Sequence, residues 1–278
     1  WADVDSIDAW VNSSSTRAAI INTSGFSGWG GSSVFTPGRV VLGGAAVRKS
    51  NVVVENMYAL NDLLAETPDP NFTSCAEVQA SGVPGGCTVF RNHVVNEPGR
   101  DVTLEPGIYR GGLTIRDAKS VTLNPGVYVM KDGPLQTSGS MPITGVQVLL
   151  NFNGNNARLY LNGSGRLSLR GMDQGPYQGF VIFADRDSTE ELTHQIGSPL
   201  DFVGTVYLPT GDLQISGQVN GNCHSLCVVS ETFTTTSLLN IYPGITRGAA
   251  LLGNSVPVPP LSLIPALAPR LVIDLDQA

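Results

Sequence analysis

Val102-Thr103-Leu104-Glu105-Pro106-Gly107-Ile108-Tyr109 is followed, 19 residues later, by Val121-Thr122-Leu123-Asn124-Pro125-Gly126-Val127-Tyr128. A period near 20 residues built of short apolar-alternating runs is the signature of a solenoid, in which no coil buries its own apolar face and neighbouring coils stack to do so. The Pro-Gly pair marks the corner: proline presets φ at the first turn position and glycine accepts a positive φ at the next. Alternation recurs at Leu113/Ile115, Val146/Val148/Leu150, Leu159/Leu161, Leu167/Leu169, Phe180/Ile182, Val206/Leu208 and Leu213/Ile215. Such spacing places one set of side chains on a single strand face. A β-sandwich predicts turn signals as frequent as these, but it leaves the 19-residue repeat unexplained.

Composition agrees. Gly (32) and Pro (18) make up 50 of the 278 residues, which argues against a helical bundle. With 41% hydrophobic residues the chain is too apolar to be disordered. The net charge is -7, from 23 acids and 16 bases. The lysines, Lys49, Lys119 and Lys131, are scattered, and no basic cluster suits a phosphate backbone, so nucleic acid is not an expected partner. The apolar run at residues 261–267 is broken by Pro265 and is too short to span a bilayer. No secretory signal is visible, and the chain reads as a mature or trimmed extracellular piece.

The expected organisation is a single all-β solenoid in three parts. Residues 1–95 hold N-terminal coils and a connection carrying the first cysteine pair, with strands at 18–21, 40–42 and 52–54 and one short helix at about 55–65. Residues 96–246 are the β-helix. Residues 247–278 are a Pro-rich apolar tail whose last piece, Leu271-Val272-Ile273-Asp274-Leu275, reads as a strand. The tail caps the solenoid end, where an open coil is a sticky sheet edge. The competing reading is self-association, with the tail docking on another molecule. The four cysteines fall in local pairs, Cys75/Cys87 and Cys223/Cys227. They read as two disulfides made in an oxidising compartment. A metal site on Cys223, His224 and Cys227 is the rival, short of the four ligands that structural zinc takes.

The run from Leu104 through Ile115, then Val121 through Met130, resembles the β-solenoid region of TadG-like proteins of bacterial tight-adherence pili. So do Val11-Asn12-Ser13-Ser14-Ser15, Gly179-Phe180-Val181-Ile182-Phe183 and Gly204-Thr205-Val206-Tyr207-Leu208-Pro209. The likeness covers most of residues 10–245, and Pro-Gly-x-Tyr corners also occur in other solenoids, ice-binding-like domains among them. It implies a non-enzymatic bacterial protein, extracellular or on the cell surface with the periplasm as the other setting, that supports pilus assembly or adhesion. Its partners are then pilus or envelope proteins, or a surface polysaccharide. The resemblance and the general chirality of parallel crossovers imply a single-stranded right-handed parallel β-helix.

Two other functions are carried forward. A polysaccharide-acting β-helix lyase or hydrolase needs carboxylates from different coils converging in a groove. Its candidates are Asp185 and Asp187 with Glu190 and Glu191, and Asp201 one coil away; the same acids form a candidate Ca²⁺ site, since hard cations take several oxygens. The chain has no adjacent Asp-Asp or His-Gly pair. An ice-binding-like or matrix module needs an ordered threonine face, for which Thr232-Phe233-Thr234-Thr235-Thr236 is the candidate. His93, His194 and His224 lack metal-binding spacing and read as surface or turn residues. No serine sits in Gly-x-Ser-x-Gly, and Gly25 to Gly31 lacks the strand-to-helix context of a phosphate loop. Trp10, Trp29 and Tyr177 read as core packing ahead of ligand stacking. The sequons at Asn12, Asn22, Asn71 and Asn162 read as turn-forming residues. No catalytic residue is assigned.

Overall fold

The computed structural model describes residues 8–11, 19–23, 33–35, 40–44, 52–54, 64, 66–188, 192–223, 228–235 and 239–243. The strands are β1 (Asp8–Val11), β2 (Ala19–Thr23), β3 (Ser33–Phe35), β4 (Val40–Gly44) and β5 (Val52–Val54), then, after helix α1 (Cys75–Ala80), β6 (Thr88–Leu104), β7 (Gly107–Leu123), β8 (Gly126–Lys131), β9 (Leu135–Thr137), β10 (Ile143–Val146), β11 (Val148–Asn153) and β12 (Leu159–Leu161). They continue as β13 (Leu167–Arg170), β14 (Phe180–Ala184), β15 (Leu192–Ile196), β16 (Leu200–Val203), β17 (Thr205–Ile215), β18 (Val219–Cys223), β19 (Val228–Thr235) and β20 (Leu239–Pro243). All pairings among the described residues are parallel, and the chain is a parallel β-solenoid.

Each coil has three sides. The first stacks the starts of β6 and β7 on β8, β11, β14 and the starts of β17 and β19. The second stacks the middles of β6 and β7 on β9, β12, β15 and the ends of β17 and β19. The third stacks the ends of β6 and β7 on β10, β13, β16, β18 and β20. Inside, like sits on like: Val121, Ile143, Leu167, Leu200 and Val219 form one buried row, and Ile115, Leu161, Ile196 and Ile215 belong to another.

The repeated octapeptide behaves as its sequence predicts on the third side, where Val102, Thr103 and Leu104 pair with Val121, Thr122 and Leu123. Past the corner the register slips. Gly107 pairs with Tyr128 and not with Gly126. A two-residue slip keeps every side chain on its own face, so Tyr109 and Tyr128 both stay inside and stack at 5.9 Å. Their buried hydroxyls close the corners: Tyr109 donates to the Glu105 carbonyl at 2.6 Å, and Tyr128 reaches the carbonyls of Leu104 (2.7 Å) and Asn124 (2.9 Å). Burial pushes both phenols well above their usual range. Gly126, at φ +143°, lies where a Cβ would come within 2.6 Å of the Pro106 side chain.

The first coil begins at Thr88, not at about residue 96. The N-terminal strands do not precede it in space. β1 pairs with β19 (Ala9 opposite Val228), β2 pairs with β19 (Ala19 opposite Phe233), and β3, β4 and β5 stack beyond them. The chain therefore starts at the pole where the solenoid's last coil lies. It returns to the other pole through a strap that includes residues 66–87, laid along the outside of the first side. This strap contains α1 where only an irregular connection was expected. The helix starts at a capping box formed by Ser74 and Glu77, and Glu77 also accepts from the Thr73 amide at 2.6 Å. The expected helix at about 55–65, apart from Leu64, and the tail at 247–278 lie outside the described residues.

The strap explains why the first side reads differently from the others. β8, β11 and β14 are buried on both faces, whereas β9, β10, β12 and β13 alternate. Leu64, Phe72, Val78 and Val83 cover the outward row of Ile108, Val129, Phe183 and Tyr207. The Cys75–Cys87 disulfide closes the end of the strap, with Cα atoms 5.4 Å apart. The sulfur pairing of Cys223 and Cys227 lies outside the described residues.

Replacing Tyr128 by Phe removes the hydroxyl and leaves buried carbonyls without that donor. The expected loss is about 1–2 kcal/mol of unfolding free energy in a urea titration, with the fold retained.

Candidate functional site

Two places on the solenoid concentrate polar chemistry. The first is the corner after β14. Asp185 and Asp187 flank Arg186, and Asp69 comes to them from the strap; one oxygen of each carboxylate lies within 4.8 Å of the others. The Arg186 side chain binds the strap. It donates to the carbonyls of Leu64 (2.6 Å) and Thr67 (2.8 Å) and to the Tyr207 hydroxyl (3.0 Å). Its guanidinium lies 5.0 Å from the Phe183 ring centre and 5.1 Å from that of Tyr207. Arg186 thus clamps the strap, helped further along by Asn153, which donates to Asn71 at 2.8 Å, and Arg110, which donates to the Thr73 carbonyl at 2.8 Å.

Burial raises the Asp69 carboxyl above its usual range, the Asp185 charge raises it further, and Arg186 only partly offsets them, with Asp187 also repelling. One Asp69 oxygen is buried without a hydrogen-bond partner. These three carboxylates are the set that could hold a hard cation here. Glu190 and Glu191 lie outside the described residues. Asp201 does not join the group and corrects the expectation: it sits mid-strand on the third side, paired with Ser168 and Asn220. Its position follows from the corner at Ser198-Pro199, which turns the chain onto another face before β16. Beside Asp185, a hollow lined by Phe152, Ser188, His194 and Thr210 has room for roughly one water molecule, far less than a sugar ring.

His194 is a second correction. It is 1% exposed and points into the core from β15, on the same strand face as Leu192 and Ile196. Its Nδ1 accepts from the Leu159 amide at 3.2 Å, and burial, with Arg158 nearby, lowers its pKa to about 4. His93 is half-buried against Phe90 and Tyr109, and His224 lies outside the described residues. Tyr177 is core, edge-on to Phe72 and Phe183.

The second place is the outer surface of the third side. Register puts Thr103, Thr122, Thr144, Ser168, Asp201, Asn220 and Asn240 in one row across the coils, at the rung spacing of about 4.8 Å. The three threonines are exposed. At Asp201, burial opposes ionisation, but hydrogen bonds from Asn220 (2.6 Å) and Arg166 (2.6 and 2.8 Å) outweigh it and hold the carboxyl below its usual range. Neighbouring rungs are tied by Ser120 to Asp101 (2.6 Å) and Asn124 to Glu105 (2.8 Å). Of the stretch singled out in sequence, Thr232 lies opposite Asp212, Thr234 opposite Gln214 and Thr235 opposite Ile215, so these three build no such row, and Thr236 lies outside the described residues.

No protein-family model, curated protein or solved structure matches this chain. Among the described residues no helix is long and apolar enough to cross a membrane.

A carboxyl whose folded-state pKa is raised contributes stability below its unfolded value, and that contribution is lost as pH rises through the folded pKa. Asp69 therefore weakens the fold at neutral pH relative to a neutral isostere. Asp69→Asn is expected to raise unfolding free energy at pH 7 by under about 1 kcal/mol, since the site is part-exposed and solvent screens it. The gain should vanish in acid below 3.8, the ordinary value of the group. Urea titrations of both proteins across that pH range check it.

Proposed function

We propose that the chain is a non-enzymatic extracellular bacterial surface protein that supports pilus assembly or adhesion, and that it meets its partner through the outer face of the third side. The polar row from Thr103 to Asn220 carries this reading. Parallel stacking repeats hydrogen-bonding groups at fixed intervals over a rigid surface, which suits an extended partner such as a pilus protein or a surface polysaccharide. The Cys75–Cys87 bridge fits a compartment outside the cytoplasm, and the resemblance of the Pro-Gly-x-Tyr coils to TadG-like solenoids supplies the pilus context. The acidic corner fits a structural role better than a catalytic one, because Arg186 is committed to the strap and the hollow beside Asp185 is of water size.

Immunogold labelling of native cells, with the gene-deletion strain as control and attachment scored in both, tests the proposal. Label along pili or at their base, with attachment lost on deletion, is the expected result. Restoring the gene with Thr122→Arg and Thr144→Arg should leave the label in place and cut attachment about tenfold, the effect of losing roughly 1.4 kcal/mol at a binding surface. Label away from pili with normal attachment overturns the reading, and depolymerisation of polysaccharide by the purified protein would replace it with the lyase or hydrolase alternative.

The three exposed threonines with Ser168 favour one second reading, an ice-binding-like or matrix module. It predicts thermal hysteresis in solutions of the purified protein and its loss in Thr122→Arg. Zero hysteresis in the unaltered protein removes it.

A further inference from the structure

Arg100, Lys119 and Arg166 each face a carboxylate. Lys131 faces an amide. Its Nζ donates to the side-chain oxygen of Asn153 at 2.7 Å, and among the described residues no carboxylate lies within ion-pair distance of it. Register builds the pair. Lys131 ends β8, Asn153 ends β11, and the two are directly opposite on adjacent rungs of the first side. Met130 and Phe152 before them lie in the core, so both side chains point outward, against the strap.

Asn153 is 1% exposed and Lys131 is half-buried. The amide nitrogen of Asn153 donates to the Asn71 side chain at 2.8 Å and to the Phe72 carbonyl at 3.3 Å. Those bonds fix the plane of the carboxamide and turn its carbonyl to Lys131. A small rotation of the lysine stem carries Nζ from Oδ1 to Cγ. The Asp132 carboxylate and Lys131 Nζ both border the space that a Cβ on Gly154 would fill, so a proton acceptor stands beside the amine without pairing with it. A primary amine held against a buried acyl carbon has the parts of an acyl transfer.

We propose that Lys131 and Asn153 join in an isopeptide bond between Nζ and Cγ. Nζ attacks Cγ and the Cγ–Nδ2 bond breaks. The two protons that the Lys131 ammonium gives up leave on the departing nitrogen, as an ammonium ion, with Asp132 placed to pass them across. Atoms and charge balance without oxidant, cofactor or second substrate. Exchange between a free amide and a free amine is slow, but well-oriented groups reach effective concentrations of about 10⁵ M or more. The bond ties β8 to β11 and closes one full coil, residues 131–153, into a covalent ring. The N–H that remains is still a donor beside the strap.

Mass spectrometry of the purified full chain, denatured and reduced, tests this. The intact mass should fall short of the sequence by one ammonia. Trypsin should leave Lys131 uncut, so that residues 120–158 appear as one peptide lacking one ammonia, where an unjoined chain yields 120–131 and 132–158. Release of unmodified 120–131 overturns the proposal, and so does an uncut 120–158 at full mass. In Lys131→Arg the guanidinium keeps the charge but stays protonated and does not attack, so the intact mass should return to the sequence value. An ammonia deficit that persists in this variant assigns the loss to another residue and overturns the proposal as well.

Discussion

The structure depends on covering the first side of the coil from both directions. Stacked parallel strands bury their inward rows by themselves, and the outward rows of the second and third sides are mostly polar, with Val94, Val146 and Val203 exposed among them. The first side does not: Ile108, Val129, Phe183 and Tyr207 point outward and are buried. At about 25 cal/mol per Å² of apolar surface, exposing such a row would cost several kcal/mol. The strap removes it from water, and the strap holds because its carbonyls meet Arg186 after β14, Asn153 on β11 and Arg110 on β7, spread over three coils. The aromatic contacts of Phe72 with Tyr177, and of Tyr177 with Phe183, fasten the same layer from the apolar side. A carboxylate triad at the strap's base is a consequence of this docking: Asp69 is carried against Asp185 and Asp187 because its neighbours must reach Arg186.

Much of the fold could be read from residue order. The 19-residue repeat announced the coil, the Pro-Gly corners fell where strands end, and the runs at 18–21, 40–42 and 52–54 are β2, β4 and β5. The close spacing of Cys75 and Cys87 pointed to their bridge. The strap was less legible, although its signals were present. Val127 to Met130, Val148 to Leu150 and Phe180 to Ala184 are continuous apolar runs, the pattern of strands covered on both faces, in contrast to the alternation elsewhere. Ser74 and Glu77 spelled a capping box.

Other features had no local signal. Nothing near Asp69 tells that it meets Asp185, because the meeting is set by where a strap crosses a corner. Asp201 looked close to the acidic loop in sequence, yet one corner separates their faces. The polar row on the third side is a property of register: Thr103, Thr122 and Thr144 become neighbours only once the coil length is known. His194 was misread because its residue type suggested a surface, while its place between Leu192 and Ile196 in an alternating strand put it inside.

The placement of β1 to β5 has consequences for how the molecule is made. Successive coils contact one another across a few tens of residues, so the central stack can grow by nearest-neighbour addition, as in other repeat proteins. The N-terminal strands cannot join that process early. Ala9 sits opposite Val228, and that pairing has no surface to form on until the last coil exists. Closing so long a loop is entropically unfavourable and rewards the chain only at the end. The strap bridges the two stages. Its disulfide end is fixed beside the first coils, its Arg186 end at the fifth, and it aims the preceding chain at the far pole. The N-terminal strands are thus delivered by the same segment that covers the first side, and loosening the strap should both expose that side and release the strands beyond β19.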